Sequence, residues 1–510
     1  MTKFARGWSL AGMATVMLGA TALSGSALAQ TTATTSATAT TQSAAPQTAA
    51  FGGHRTLDPG PRSGDPGAGG PLPGLSQDEL NFFKSSAEVF NEVEDVGDGL
   101  GPRFNLESCG GCHSQPALGG SSPATNPQVT SAKARGAKNT VPSFITANGP
   151  VREARFVRNP DGSPDGGVHA LFVITGRDDA PGCNIQQPNF AAAVAANNVI
   201  FRIPTPTFGL GLVEAVPDSG LQAAFSASSQ QRRSLGISGS FNRTGNDGTI
   251  TRFGWKAQNK SLLLFAGEAY NVEMGVTNDL FPNEREDNPG CQFNNLPEST
   301  TRLVNNTNSG SPAADFSQDI ITFAAFMRLL APPTPATATA APAAQSTTPT
   351  TQVAAATAAS AVAAAAGSSS TSTAATSTSS AASVTRGQQV FANVGCQACH
   401  TMNQKTGKSA ITGTTNVTFQ PFSDFAVHDM GTRLADGVAQ GNASGRQFRT
   451  APLWGVGQRI FFLHDGRTSD IYEAIQQHSS QGSEANNVIR NFNLLGNTDQ
   501  QAVVNFLRSL

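Results

Sequence analysis

Two copies of the pattern C-x-x-C-H constrain this chain more than any other feature of its sequence. The pattern occupies residues 109–113 and again residues 396–400. It is the attachment signature of a c-type haem, in which two thiols bond to the macrocycle and the next histidine binds the iron. We therefore predict two covalently bound haem c groups, held by Cys109, Cys112, His113, Cys396, Cys399 and His400.

Two other kinds of site use closely spaced cysteines. A zinc knuckle would need a second Cys/His pair close to each motif, and the sequence has none there. A thioredoxin-like dithiol does not need a histidine directly after its second cysteine. Both alternatives explain the two motifs less well than haem attachment does.

The first 29 residues have the organisation of a secretory signal peptide. Lys3 and Arg6 supply a basic start, an apolar run extends from Leu10 to Leu23, and a small-residue cleavage site ends at Ala29. No later stretch is long and apolar enough to cross a bilayer. We therefore predict a periplasmic protein with no transmembrane segment after signal cleavage.

Two cysteines lie outside the haem motifs, Cys183 and Cys291. In an oxidising compartment two remaining cysteines most simply pair, so we expect a disulfide between them, with two separate thiols as the alternative. The formal net charge is −2, which gives no indication of nucleic-acid binding.

Composition divides the rest of the chain into domains and connecting segments. Residues 30–75 are rich in Thr, Ser and Ala and then in Gly and Pro, which is typical of a disordered tether. Residues 333–384 consist mostly of Ala, Thr, Ser and Pro and predict a disordered linker. We expect an N-terminal haem domain at 76–332 and a C-terminal cytochrome c domain at 385–510.

Helical periodicity appears near both motifs and at the end of the chain. A capping box at 76–79 opens one predicted helix, and a second at 385–388 opens another. Apolar stripes predict helices at 315–330 and 498–510, and residues 171–174 predict a strand. The expected fold is mainly α, with two cytochrome c-like haem domains, long loops and a few short strands.

Longer segments of the chain resemble the bacterial dihaem cytochrome c peroxidase superfamily. They are most similar to its branch of dihaem oxidoreductases, also called thiol oxidoreductases. The similarity covers about 76–332 and 384–510. The segments that carry it lie at 98–105, 252–258, 423–431, 449–457 and 462–467.

This resemblance implies a division of labour between the haems. The N-terminal haem would reduce peroxide or a related oxidant, with electrons passed to it from the C-terminal haem. His478 falls where the family has the methionine ligand of the electron-transfer haem, so we expect His400 and His478 to bind that iron. Met430 or His428 is the alternative. Imidazole in place of a thioether should lower the potential of this haem.

Two further residues take roles only from the resemblance. Trp255 corresponds to a tryptophan between the two haems, and ordinary core packing is the alternative. Glu273, within Val-Glu-Met, corresponds to a glutamate that moves a proton between peroxide oxygens over the reactive haem. The alternative is a glutamate on a surface loop.

The chain also departs from the family. The dihaem peroxidases have a displaceable histidine about sixteen residues after the first motif, but residues 114–130 contain none. We therefore expect an open or water-bound first iron, with His169 as an alternative ligand. The family's calcium ligands match poorly at 458–461, so no calcium is predicted.

These features favour a peroxidase-like dihaem oxidoreductase. Its partners would be a small redox donor, such as a cytochrome or a cupredoxin, and a small oxidant. A non-catalytic electron-transfer cytochrome and a dihaem oxygenase or oxidase of a protein or polymer are the alternatives. A resemblance to the superfamily does not decide among the three, because one fold supports several functions.

Overall fold

The computed structural model of the protein describes residues 56–301, 318–336 and 380–510. The predicted signal peptide, the tether up to residue 55 and the linker at 337–379 lie outside these residues. No helix in the described part of the chain is long and apolar enough to cross a membrane.

Helices predominate over strands in the described residues, as predicted. Their fourteen α-helices are Gln77–Phe90, Cys109–Cys112, Gln128–Ser131, Phe190–Ala195, Leu210–Glu214, Asp218–Ala227, Ser229–Leu235, Leu262–Ala269, Asp319–Leu329, Ala381–Val394, Gly431–Leu434, Ile471–Gln477, Asn486–Asn493 and Asn497–Ser509. Single helical turns of the 3₁₀ or π type add Ala134–Gly136, Tyr270–Met274, Pro289–Cys291, Cys396–Ala398, Thr412–Thr414 and Val456–Gln458.

Nine short strands accompany the helices in the same residues. They are Arg103–Phe104, Glu153–Phe156, Val168–His169, Phe172–Val173, Val199–Arg202, Gln404–Lys405, Thr418–Phe419, Val427–Asp429 and Gln447–Arg449. All pairings are antiparallel, in one three-stranded sheet and three two-stranded sheets. The strand expected at 171–174 is observed as Phe172–Val173.

Two helices form the core beside the first motif. Gln77–Phe90 begins at the predicted capping box, in which Ser76 and Glu79 exchange hydrogen bonds. It packs on Asp319–Leu329, where the rings of Phe90 and Phe326 lie 4.6 Å apart. Burying these aromatic side chains removes large apolar areas from water and fixes the helix that precedes the motif.

A second helix pair lies beside the second motif. Ala381–Val394 packs on Asn497–Ser509 so closely that a Cβ on Gly387 would lie 1.9 Å from the carbonyl oxygen of Ala502. The capping box predicted at 385–388 is wrong. Ser380 caps this helix instead, which therefore starts inside the predicted linker.

Residues 56–75 correct the prediction of a disordered tether. Asp58 pairs with Arg508 of the last helix at 2.6 Å, and both side chains are buried. Leu72 is buried too, and its backbone N–H donates to the carbonyl of Leu329 at 2.7 Å. A few anchoring side chains fix this segment, although Gly and Pro dominate its composition.

The two cysteines outside the motifs, Cys183 and Cys291, form a disulfide. It is the pairing that the sequence favoured. The bond joins the loop after Phe172–Val173 to the single turn Pro289–Cys291.

Candidate functional site

The first C-x-x-C-H motif opens onto a cavity with about 1150 Å³ of empty space, including its mouth. Cys109, Cys112 and His113 all line it. Ser108 caps the short helix that carries the thiols. The Nδ1 atom of His113 lies 2.9 Å from the carbonyl oxygen of Gly120. This bond places the ring proton on Nδ1 and leaves Nε2 available to a metal.

A second cavity, with about 1350 Å³ of empty space, surrounds the other motif. Cys396, Cys399, His400 and His478 line it. Each of the two histidines repeats the arrangement of His113. Nδ1 of His400 lies 2.9 Å from the carbonyl oxygen of Phe422, and Nδ1 of His478 lies 2.8 Å from that of its own helix residue four positions earlier. The Nε2 atoms of both rings are therefore available as ligands.

The alternative ligand His428 is occupied elsewhere. Its Nε2 lies 3.0 Å from Asp424 and its Nδ1 lies 2.8 Å from Glu484. Both ring nitrogens are committed to carboxylates, so His428 has no free lone pair for iron. Met430 also lines the second cavity.

Glu273 lies in the wall of the first cavity, on the single π-helical turn that follows Leu262–Ala269. Asn105 holds it twice. The backbone N–H of Asn105 donates to the carbonyl of Glu273 at 2.7 Å, and its Nδ2 donates to the carboxylate at 2.7 Å. π-Helical turns are frequent at functional sites.

A second carboxylate accompanies Glu273. The side chain of Glu153 hydrogen-bonds to that of Glu273, and Arg155 contacts Glu153 at 2.6 Å. Burial and the charge of Glu153 raise the pKa of Glu273 well above its usual value. Burial alone would raise the pKa of Glu153 as well, but Arg155 and the bond from Glu273 hold it below its usual range. Of the two carboxyl groups, Glu273 therefore has the higher pKa and is the one that takes up a proton first.

Sequence reasoning missed Glu153 and Arg155. Both lie on the strand Glu153–Phe156, where residues two apart share a face, so their pairing follows from local structure. The Glu-x-Arg sequence at 153–155 was the available signal, although no strand was predicted there. It does not reveal the partner Glu273, which lies 120 positions later.

His169 does not reach the first cavity. Its Nε2 bonds to Asp165 at 2.8 Å, and its ring stacks on Phe156. Among the described residues, His113 is the one histidine in the lining of this cavity. The described lining thus offers no second imidazole to a metal bound by His113.

Trp255 lines both cavities. Its Nε1–H donates to the carbonyl of Ile203 at 2.9 Å, which fixes the indole, and the side chain is almost wholly buried. Its expected position between two haems stays a prediction. Trp454, the other tryptophan of the described residues, packs on Phe419 and lines neither cavity.

Two cavities, each lined by one C-x-x-C-H motif, are typical of the class of proteins that bind two haems in one chain. A family model described as "Di-haem oxidoreductase, putative peroxidase" matches residues 153–368 and 345–510. These matches cover more than half of the chain, which therefore belongs to this di-haem oxidoreductase family. The first motif lies before the first matched residue. No curated protein and no solved structure matches the chain significantly.

The two cavities fit the two haems that this family implies. Each has a pair of free thiols and a histidine whose Nε2 is available, beside an empty space of about 1150 Å³ in the first and about 1350 Å³ in the second, mouth included. A bound haem would supply iron and electrons. The chain supplies the ligands, a proton-sharing carboxylate pair and a tryptophan between the sites.

Proposed function

We propose that the protein is a periplasmic, peroxidase-like di-haem c oxidoreductase. Electrons pass from a haem in the second cavity to a haem in the first, where peroxide or a related small oxidant is reduced. The haems are attached covalently through the two C-x-x-C-H motifs, and each half is a cytochrome c-like domain. The signal-like sequence at 1–29 supports export, and haem attachment to this motif takes place outside the cytoplasm.

The proton-sharing pair in the first cavity carries this proposal. Reduction of peroxide takes two protons and two electrons to form two waters, and a proton must move from one oxygen to the other as the O–O bond breaks. The pKa of Glu273 is raised and that of its hydrogen-bonding neighbour Glu153 is lowered, so the two carboxyl groups can serve as a proton donor and an acceptor. Asn105 fixes the carboxyl of Glu273. General acid–base catalysis requires such a group in a fixed position.

The second cavity supports the electron-transfer half of the proposal. His400 and His478 both line this cavity with Nε2 available, so both would be able to bind its iron, as an electron-transfer haem requires. Trp255 lines both cavities and offers a route between them. The electron donor would be a small cytochrome or a cupredoxin.

Optical and EPR titration of the purified holoprotein tests the proposal. We expect one high-spin ferric signal from the first haem, which peroxide changes, and one low-spin signal from the second. Two low-spin haems that peroxide leaves unchanged after half-reduction would instead identify an electron-transfer cytochrome. A stable oxygen adduct with little peroxide turnover would identify an oxygenase.

A further inference from the structure

Two buried arginines in the second cavity have no anionic partner. Arg449 and Arg459 line this cavity and are only 7% and 8% exposed. Neither guanidinium forms an ion pair or a hydrogen bond with a described residue, and Nε and Nη1 of Arg449 are buried without any acceptor. Burial lowers the pKa of each guanidinium to about 10, so both remain charged at neutral pH.

Other buried cations of the same region are paired. Arg508 contacts Asp58 at 2.6 Å, and Asp436 pairs with both Lys256, at 3.1 Å, and Arg202, at 2.8 Å. An unpaired buried charge is costly, so native proteins rarely leave one without a counter-charge. Two neighbouring unpaired guanidiniums therefore indicate an anionic ligand with two negative groups in this cavity.

We propose that Arg449 and Arg459 bind the two propionate carboxylates of the haem in the second cavity. A haem carries two such groups, and the planar guanidinium matches a carboxylate in shape and charge. The inference rests on the proposed function only in that it assigns this cavity to a haem.

The backbone holds both arginines in place before any ligand binds. The N–H of Arg449 donates to the carbonyl of Trp255 at 2.9 Å, at the end of the strand Gln447–Arg449. The carbonyl of Arg459 accepts from Nη1 of Arg508 at 3.0 Å. Sites built on rigid elements bind with little loss of conformational freedom. The backbone of Arg449 therefore adjoins that of Trp255, whose side chain lines both cavities.

The two cations also affect the redox balance of this haem. Positive charge nearby disfavours the ferric form, which carries one more positive charge than the ferrous form. Ligation by two imidazoles gives a low potential, and the arginines offset part of that effect. Removing one guanidinium should lower the ferrous-to-ferric ratio at a given potential about tenfold. For a one-electron couple this corresponds to a midpoint potential about 59 mV lower.

Spectroelectrochemical titration of the holoprotein tests the proposal. We expect Arg449→Gln and Arg459→Gln to lower the midpoint of the second haem, while Arg449→Lys, which keeps the charge, stays close to the wild type. Arg446→Gln is the matched control, because the side chain of Arg446 is 42% exposed and already pairs with Asp429. Glutamine variants in which each haem keeps its wild-type midpoint potential would overturn the proposal.

A measurement on the wild type covers the case in which the variants do not fold. Labelling the arginine guanidiniums with ¹⁵N should shift bands in the reduced-minus-oxidised infrared spectrum of the second haem. Absence of any shift would refute the pairing. A wild-type protein that carries only one haem would overturn the proposed function itself, and the two failures are therefore distinguishable.

Discussion

Replacing Glu273 by Gln should abolish proton transfer in the first cavity with little change in its shape. A glutamine can still accept the bond from Asn105 through its oxygen and donate to Glu153 through its nitrogen, so both contacts of the wild type persist. Only the transferable proton is lost. General acid–base catalysis contributes roughly 10²–10⁴-fold, so peroxide turnover should fall by that factor, equivalent to about 3–5 kcal/mol in the barrier.

Stopped-flow peroxide reduction, with optical spectra of both haems, measures this effect. The pKa of Glu273 is raised, so wild-type activity should fall as the pH rises through that value and the proton is lost. The variant should lack this alkaline decline. Glu88→Gln is the matched control, since Glu88 is exposed on the first helix. Turnover of Glu273→Gln within twofold of the wild type would refute the assignment.

Three further predictions concern single side chains. His478→Ala should convert the second haem alone from low to high spin in EPR, whereas His428→Gln should not; an unchanged spectrum in the first variant would remove His478 from the ligands. Trp255→Phe should slow electron transfer between the haems in flash photolysis or stopped flow, and Trp454→Phe should leave it unchanged; equal rates would place the route elsewhere. Asp58→Asn should destabilise the fold by about 3–5 kcal/mol in denaturant titration, because it leaves a buried arginine unpaired; a change below about 1 kcal/mol would contradict this.

Features that depend on short sequence windows were predictable. Ser76 and Glu79 are three positions apart, and their reciprocal capping needs nothing beyond the helix they begin. The two thiols and the histidine of each C-x-x-C-H motif also lie within five residues, so the sequence alone identifies them. The Cys183–Cys291 pairing was predictable because four of the six cysteines already had a function.

Features that depend on tertiary contacts were not. The predicted cap was Thr385, but the helix begins earlier, where the side chain of Ser380 accepts a hydrogen bond from the N–H of Ser383. The proton shared by Glu153 and Glu273 depends on a contact between a strand and a π-helical turn. Arg449 and Arg459 look like ordinary charged residues until their burial without partners is seen.

The ion pair between Asp58 and Arg508 joins residues 450 positions apart. A chain synthesised from its N-terminus has to keep the segment around Asp58 unengaged until its last helix is complete. Contacts of such long sequence separation form late and slow the acquisition of the native state. Cutting the gene at residue 76 or residue 333, where composition suggests domain boundaries, would place Asp58 and Arg508 on different pieces and so remove their ion pair. The two halves should therefore be produced and studied as one piece that includes residues 56–75.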